Sequence, residues 1–559
     1  MSEAIEKRSL NSKHFLNENG SFTAQIHATP IHHIDWTTGE LLDNDYTIVP
    51  EINWEFEYAV KKNNFRAYFN DSTDIKNATL ASFEILNSQG VVRWINYKLF
   101  GADPTGHLYK ENRFKYYNVF PNVDLEYIVS SERLKENIIV KESTANFSYT
   151  FTLKMSEGLK LEQQPDGSIF FIDTDTGEEL WEISRPYAED SSPEVIRTEA
   201  VAYTLGKQIY EGIEYDSITV DLLEDISKLT FPIVIDPTVT IISNTSNWMD
   251  TRVFSGDPDY TGSGDDNILY LGFNSTLAES RILFQPDLSS IPSNAKIISA
   301  VASHYLTIDN GGSITVRTYS IEEPWSDNFG VTSWNTMPSV RSYLGSLSNV
   351  NSGGYYDFPL TTYSDDFQKI ISGELPNYGF YLMSITVTAS THKAFYSSEH
   401  TSSGSRPTLT VEYNVPPSAP VITSPISGVS IDSTHTITWN LSTDAETAQG
   451  SLQYNADLSI DDGLTYPYEI VALTAAGETS YEYDFSAIPE SAICKIRLRA
   501  FDGASFGGYG YSDTFEISHG KGYVKVNGEY VKVKIFVKGS GVYVEAKAYR
   551  KVNGVYEKM

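Results

Sequence analysis

Three groupings of residues have the types and spacing that chemistry requires. Gly503-Ala504-Ser505-Phe506-Gly507 fits the Gly-x-Ser-x-Gly pattern, in which a nucleophilic serine sits on a strained turn between a strand and a helix. Here a strand leads in, but Tyr509, Tyr511 and Phe515 lead out in strand alternation, so the segment reads as a glycine-rich hairpin loop. His32, His33 and Asp35 could hold a metal or supply a base, yet adjacent strand residues face opposite sides, so one packed and one exposed imidazole is expected. Asp257-Pro258-Asp259 with Asp265-Asp266-Asn267 gathers four carboxylates and an amide in eleven residues, a donor set suited to Ca²⁺; a solvated acidic loop is the alternative. Among 73 acidic residues some pair always looks suitable for sugar hydrolysis, and spacing selects none. No catalytic residue is assigned, and the chain is expected not to be an enzyme.

The elements that must position such groups are strands. From Ala492 to Ala500, Cys494, Ile496, Leu498 and Ala500 point one way and Lys495, Arg497 and Arg499 the other, which is a period of two. Ile314-Thr315-Val316-Arg317 and Thr436-Ile437-Thr438-Trp439 repeat that alternation. The helix signal singled out is short, with Ser364 or Asp365 as N-cap, Phe367, Ile370 and Ile371 on one face and Gly373 as the stop. The expected class is all-β. At 559 residues a single core is excluded. Composition shifts divide the chain at residues 1–238, 239–414, 415–518 and 519–559, the first block being one unit or two. Val415-Pro416-Pro417-Ser418-Ala419-Pro420 is a stiff, polyproline-like linker expected to hold its neighbours apart.

Charge separates the last block from the rest. The whole chain carries −32, whereas residues 519–559 carry +6 and residues 1–518 carry −38, a field that repels phosphate backbones and anionic membranes. One cysteine, Cys494, rules out internal disulfides, and no apolar run reaches the length of about 18 residues that spans a bilayer. The start has no apolar stretch behind its charges, so conventional export is not expected. The basic block repeats every 13 residues: Tyr523, Phe536 and Tyr549 open the units, Gly528, Gly541 and Gly554 follow, and Tyr530, Tyr543 and Tyr556 close them. Asn-Gly between alternating residues is a type I′ hairpin signal, so each unit is a minimal hairpin. These six aromatics are candidates for docking onto an acidic protein surface or for ligand binding; a cap on the preceding sandwich is the structural alternative.

Residues 8–238 resemble the non-repetitive N-terminal region of bacterial wall-associated and YD-repeat proteins. His14-Phe15, Gly20-Ser21-Phe22, Pro30-Ile31-His32-His33, the run from Tyr117 through Pro121 to Tyr127, Lys135-Glu136-Asn137 and the closing Phe231-Pro232 to Asp236-Pro237 carry the likeness. Residues 240–413 resemble the DNRLRE domain, a jelly-roll sandwich of carbohydrate-binding-module type. Asp250-Thr251-Arg252-Val253, Leu269-Tyr270-Leu271-Gly272, Ser280-Arg281-Ile282, Trp325, Val331 to Trp334-Asn335, Asn377-Tyr378-Gly379 and Arg406-Pro407 carry that one, with Pro359 and Leu360 departing from the usual valine before Thr361. The third block is similar to a fibronectin type III or immunoglobulin-like sandwich through Pro420, Trp439 and the strand Ile496 to Ala500.

The jelly-roll resemblance implies sugar stacking on exposed aromatics, with Trp325, Trp334 and Tyr378 as candidates and core packing as the alternative for the two tryptophans. It also favours structural calcium at Asp257, Asp259, Asp265, Asp266 and Asn267; no other cofactor is required. The function these features imply is a structural, adhesive virion protein of a Gram-positive phage or phage-like particle, a tail fibre, tail tip or surface appendage. It would bind cell-wall or surface polysaccharide by multivalent display or as a homo-oligomer and meet other particle proteins through its basic repeats. Nucleic acid and membrane are not expected partners. The alternatives are a cell-surface adhesin of a Gram-positive bacterium and, less favoured, a polysaccharide hydrolase.

Overall fold

In a computed structural model, the chain is described except at residues 52–55, 72–78, 144–146, 193–196, 211, 242–247, 262–266, 328–329, 387–390, 401–402 and short gaps from 520 onward, where strands alone are described. Strands hold 52% of residues and helix 3%, so the all-β expectation holds. The alternation is realised in detail: Cys494, Ile496, Leu498 and Ala500 are buried, while Lys495, Arg497 and Arg499 lie outward. The short helix, Asp366–Ile371, buries Phe367 and Ile371 and ends before Gly373 at φ +77°.

An eight-stranded and an eleven-stranded sheet face each other across one hydrophobic cluster that runs in sequence from Ile48 to Val239. Among the described residues of this stretch, the large core is shared by both sheets. Phe69 and Phe114 stack at 4.9 Å within this core, and Phe83 meets Trp181 edge-on at 5.5 Å.

The second sandwich is built mostly from residues 249–414, but its edge comes from the start of the chain. Ser2–Glu3, Ser12–Leu16 and Phe22–His27 pair in succession, and Phe22–His27 then pairs antiparallel with Thr408–Asn414. Phe22, Ala24 and Ile26 enter its core. The block boundary at 238 therefore does not enclose the first strands: alternation specifies which face a strand buries and leaves its partner open. Strand Ile268–Asn274 turns the corner between the two sheets, pairing with Lys393–Tyr396 through its first half and with Ala278–Gln285 through Gly272 onward. Gly272 has φ +107°, and a Cβ there would collide with the Thr391 carbonyl, so the corner requires glycine. Pro359 ends strand Gly354–Pro359 in register with Val301, and Leu360 is buried in the core, which fixes the register at the family departure.

At the centre of this core His304 is fully buried with both ring nitrogens unpartnered among the described residues. Phe284, Phe358 and Phe395 surround it at centroid distances of 5.1, 6.0 and 6.4 Å. Burial pushes its pKa down to about 3. Replacing two unsatisfied polar atoms with an apolar side chain of similar size removes a desolvation cost of about 1–3 kcal/mol, so His304→Leu should raise the urea midpoint. The folded pKa lies below the unfolded value of 6.5, so the unfolded state binds the extra proton and wild-type stability falls as pH drops from about 6.5 toward 3. The advantage of the variant should widen over that window.

The third sandwich packs a three-stranded sheet on a six-stranded one around Trp439, Tyr454, Cys494 and Phe515. The proline linker lies along it rather than crossing open solvent. A Cβ on Gly507 or Gly510 would strike the carbonyl of Pro417 or Pro420, and the Ser505 hydroxyl donates to Asn414 Oδ1. Gly503 to Gly507 is thus the predicted glycine-rich loop, in which Gly503 takes φ +99° and Gly507 allows the close approach to the linker. Beyond it, Gly522–Val526 pairs with Glu529–Val533, Phe536–Gly539 with Val542–Glu545, and Tyr549–Val552 with Val555–Lys558. These are the three hairpins that the 13-residue period predicts. The side chains of Tyr523, Tyr530, Phe536, Tyr543, Tyr549 and Tyr556 lie outside the described residues.

Candidate functional site

One face of the second sandwich is made by Met249–Phe254, Ala278–Gln285, Phe380–Ser384, Ile314–Ile321 and Val340–Val350. Alternation sends Ile282, Phe284, Val316, Leu344, Phe380 and Leu382 to the core. The intervening positions, among them Val253, Leu283, Tyr319, Tyr381 and Met383, form a second cluster on the opposite side of the sheet. Part of that outer face is roofed by the described residues of 322–327 and 330–339. Trp325, Trp334, Met337 and Tyr378 are half-buried there against Val253, Leu283, Ile321 and Tyr381. The Trp325 indole donates to the Tyr378 carbonyl at 2.8 Å, the Arg281 guanidinium sits 4.5 Å from the Trp334 ring centre, and the Tyr381 hydroxyl donates to the Pro338 carbonyl. Burial raises the Tyr381 phenol pKa further above its ordinary value. The structure therefore brings the three aromatic candidates together, with much of their surface spent on holding the roof to the sheet.

The unroofed part carries aromatics that the sequence reading did not single out. Tyr319 lies 5.6 Å from Tyr343, and Tyr343 stacks on Tyr363 at 5.0 Å with ring planes 14° apart. The Arg317 guanidinium stands 5.4 Å from the Tyr343 ring, and the Tyr319 hydroxyl beside it raises its pKa. Tyr363 is 66% exposed. Apolar ring faces bordered by hydroxyls and a guanidinium suit a sugar ring, which offers C–H groups to the rings and hydroxyls to the polar atoms. Arg317 and Tyr319 at i and i+2 share a strand face, the one signal that could have marked them; Tyr343 and Tyr363 come from separate segments. On the other sheet Tyr305 stacks on Tyr396 at 5.4 Å, but the Tyr355 and Tyr396 hydroxyls are bonded to Gly404 and Thr307.

The remaining candidates disperse. Asn335 Nδ2 donates to Asp259 Oδ1 at 2.8 Å and its backbone N–H to the Pro258 carbonyl, so this part of the acidic loop clamps the roof. The Asn267 backbone carbonyl accepts from the Ser397 N–H, and Asp265 and Asp266 lie outside the described residues. Among the described residues no cluster of three or more His, Cys, Asp or Glu could hold a metal. His32 and His33 are both buried, which corrects the expected packed-and-exposed pair. His32 Nδ1 meets the Ser9 carbonyl at 2.6 Å and His33 Nδ1 meets Asn44 Oδ1 at 3.2 Å, because separate segments cover the two sides of their short hairpin. Asp35 accepts from the Thr37 and Thr38 N–H groups. The three do not converge.

Comparison with known proteins adds four findings. Residues 242–413 match carbohydrate-binding module family 96. The chain is 26% identical over 439 residues to "tRNA nuclease WapA" of Bacillus subtilis (strain 168), covering 74% of this chain and 18% of that protein. It is 28% identical over 204 residues to "Wall-associated protein" of Geobacillus stearothermophilus, covering 34% of this chain and 75% of that protein. The chain thus spans less than a fifth of the nuclease relative's length. Among solved structures, the FN1–FN3 domains of chicken CNTN1 are 15% identical, covering 64% of this chain and 97% of that one, at a TM-score of 0.16, too low to carry an argument about fold. The likeness to wall-associated proteins is found. The expectation of a chain without enzymatic activity is overturned by relatives named as tRNA nucleases. The wall-associated relatives also favour the cell surface, the alternative setting, over the virion.

Proposed function

We propose that this chain acts at the bacterial cell surface, where its second sandwich holds a wall or surface polysaccharide against Arg317, Tyr319, Tyr343 and Tyr363. The match of residues 242–413 to a carbohydrate-binding module carries the reading, and the unroofed tyrosine strip supplies a surface of the right chemistry. The basic hairpins would dock onto an acidic neighbour, which fits their charge of +6 beside a body of −38.

A ring stacked on a sugar contributes about 0.5–1.5 kcal/mol beyond its buried area. Tyr343→Ala and Tyr363→Ala should each weaken binding to purified wall polysaccharide several-fold, and the pair together by about tenfold or more, in a pull-down or calorimetric titration. Because the strip lies outside the core, both variants should melt with wild type, whereas Trp325→Ala or Trp334→Ala should lower the melting temperature. Undiminished binding by the folded double variant would remove the strip from the reading.

The names of the relatives motivate a second reading, in which the protein also takes part in cleavage of tRNA. Incubating the purified chain with total tRNA and resolving the products on a denaturing gel tests it. Discrete fragments would support the reading, and intact tRNA under varied divalent cations would count against it for these 559 residues.

A further inference from the structure

Between the first and second sandwiches lies a small cleft, partly open to solvent. Its charged lining is Arg133, Lys135, Arg185, Asp236, Glu399 and Arg406, four cations against two carboxylates in a chain of net charge −32. The cations are unequally engaged. Lys135 Nζ is 2.6 Å from Asp236 Oδ2, and that carboxylate also accepts from the Tyr187 and Thr238 hydroxyls, so its charge is locally satisfied. Arg185 pairs with Glu199 at 3.0 Å on the surface. Arg133 stands 3.8 Å from Glu399, whose Oε1 accepts from the Ser398 hydroxyl.

Arg406 is different. It is 4% exposed, and its side chain makes one hydrogen bond among the described residues, from Nε to the His400 carbonyl at 2.6 Å. Among the same residues no carboxylate lies within ion-pair distance of it. A guanidinium has five donors, and the outer ones of Arg406, which lines the cleft, have no protein partner among the described residues. Burial and the nearby Arg133 push its pKa down, while Glu132, Glu399 and Tyr46 act the other way. A planar fork beside a second guanidinium is the geometry that receives an oxyanion in bidentate fashion.

We propose that this cleft is a binding site for an anionic group, the phosphodiester or carboxylate of an acidic envelope polymer, held by Arg406 with Arg133 beside it. The site is separate from the tyrosine strip, and only the choice of polymer rests on the cell-surface reading.

The test uses the full chain at constant ionic strength, with inorganic phosphate as the first probe and thermal shift and calorimetry as readouts. Millimolar phosphate should raise the melting temperature of wild type, where equal chloride does not. Poly(glycerol phosphate) and polygalacturonate then separate the two sources, with dextran as the neutral control. Arg406→Gln should weaken binding at least tenfold, and Arg406→Lys, which keeps charge and loses the fork, by less. Because Arg406 is buried, Arg133→Gln is the second variant; its side chain is partly exposed and its loss should weaken binding several-fold. The Tyr343→Ala/Tyr363→Ala chain should keep the anion response, so failure of the strip and failure of the cleft are distinguishable. No response of wild type to any of the three anions, or wild-type affinity in folded Arg406→Gln and Arg133→Gln, would overturn the proposal.

Discussion

A chain lacking residues 1–28 should lose the melting transition of its second sandwich and aggregate, although the deleted segment lies more than 200 residues from residues 242–413 in sequence. Phe22–His27 runs antiparallel to Thr408–Asn414 from Phe22 opposite Tyr413 to His27 opposite Thr408, and Phe22, Ala24 and Ile26 are buried in the common core. The Phe22 ring lies 5.6 Å from Tyr413, whose hydroxyl bonds His14 Nδ1 at 2.8 Å, and the Ser21 hydroxyl donates to Glu412. Burying Phe22 and Ile26 contributes about 1.5–3 kcal/mol each, and loss of the cover over Leu409, Val411 and Tyr413 adds to this. The total, about 5 kcal/mol or more, rivals the 5–15 kcal/mol that stabilises a typical domain. Thr408–Asn414 would also become an open edge, a template for pairing with other chains. Limited proteolysis and calorimetry of the truncated chain check the expectation; an unchanged transition would show that the added strands are ornamental. Phe22→Ala is the gentler version and should cost about 3–5 kcal/mol. Polysaccharide binding by residues 242–413 is then tied to the integrity of the first strands, and the two would be lost together.

The same strands show where sequence reading reaches its limit. Period-two alternation made Cys494, Ile496 and Leu498 legible as a buried face, because side-chain direction along a strand is a local property. The 13-residue hairpins were legible for a similar reason, since Asn-Gly dictates its own turn. Pairing Phe22–His27 with Thr408–Asn414 is not local, and nothing in either segment names the other. The tyrosine strip was hidden in the same way: Arg317 and Tyr319, Tyr343, and Tyr363 are ordinary outward positions until register places them side by side. Trp325, Trp334 and Tyr378 were found by residue type, yet type does not reveal that these rings pack against Val253, Leu283, Ile321 and Tyr381. Arg406 stood inside a quoted motif, Arg406-Pro407, where its burial against the first sandwich left no trace in the sequence.

The first sandwich should be most sensitive at a single ion pair. Arg93 lies in the eight-stranded sheet and Asp173 in the eleven-stranded one, and both are buried. Arg93 Nε meets Asp173 Oδ2 at 2.8 Å and Nη2 meets Oδ1 at 3.1 Å, a two-point clasp between the sheets. Asn87 Nδ2 and the Asp175 N–H complete the carboxylate, and Arg93 Nη1 donates to the Glu157 carbonyl. Gly158, at φ +85°, makes room for the guanidinium; a Cβ there would lie 2.9 Å from Nη2. Asp173→Ala removes the two-point clasp and leaves the buried guanidinium only the largely exposed Asp175 carboxylate, which its Nη2 also meets at 2.5 Å; it should cost about 1–3 kcal/mol, read as a fall in the urea midpoint. Replacing both residues with apolar ones, Arg93→Met with Asp173→Leu, should recover much of that loss, because the desolvation of both charges disappears with their attraction. Arg93 holds the Asp173 carboxyl well below its usual range, so the folded pKa lies below the unfolded one. The contribution of the pair is therefore complete above about pH 4 and is lost as pH falls through the folded pKa. The deficit of Asp173→Ala relative to wild type should shrink as the solution is acidified below that point. A deficit that stays constant with pH would assign the cost to lost packing, with the charge pair contributing little.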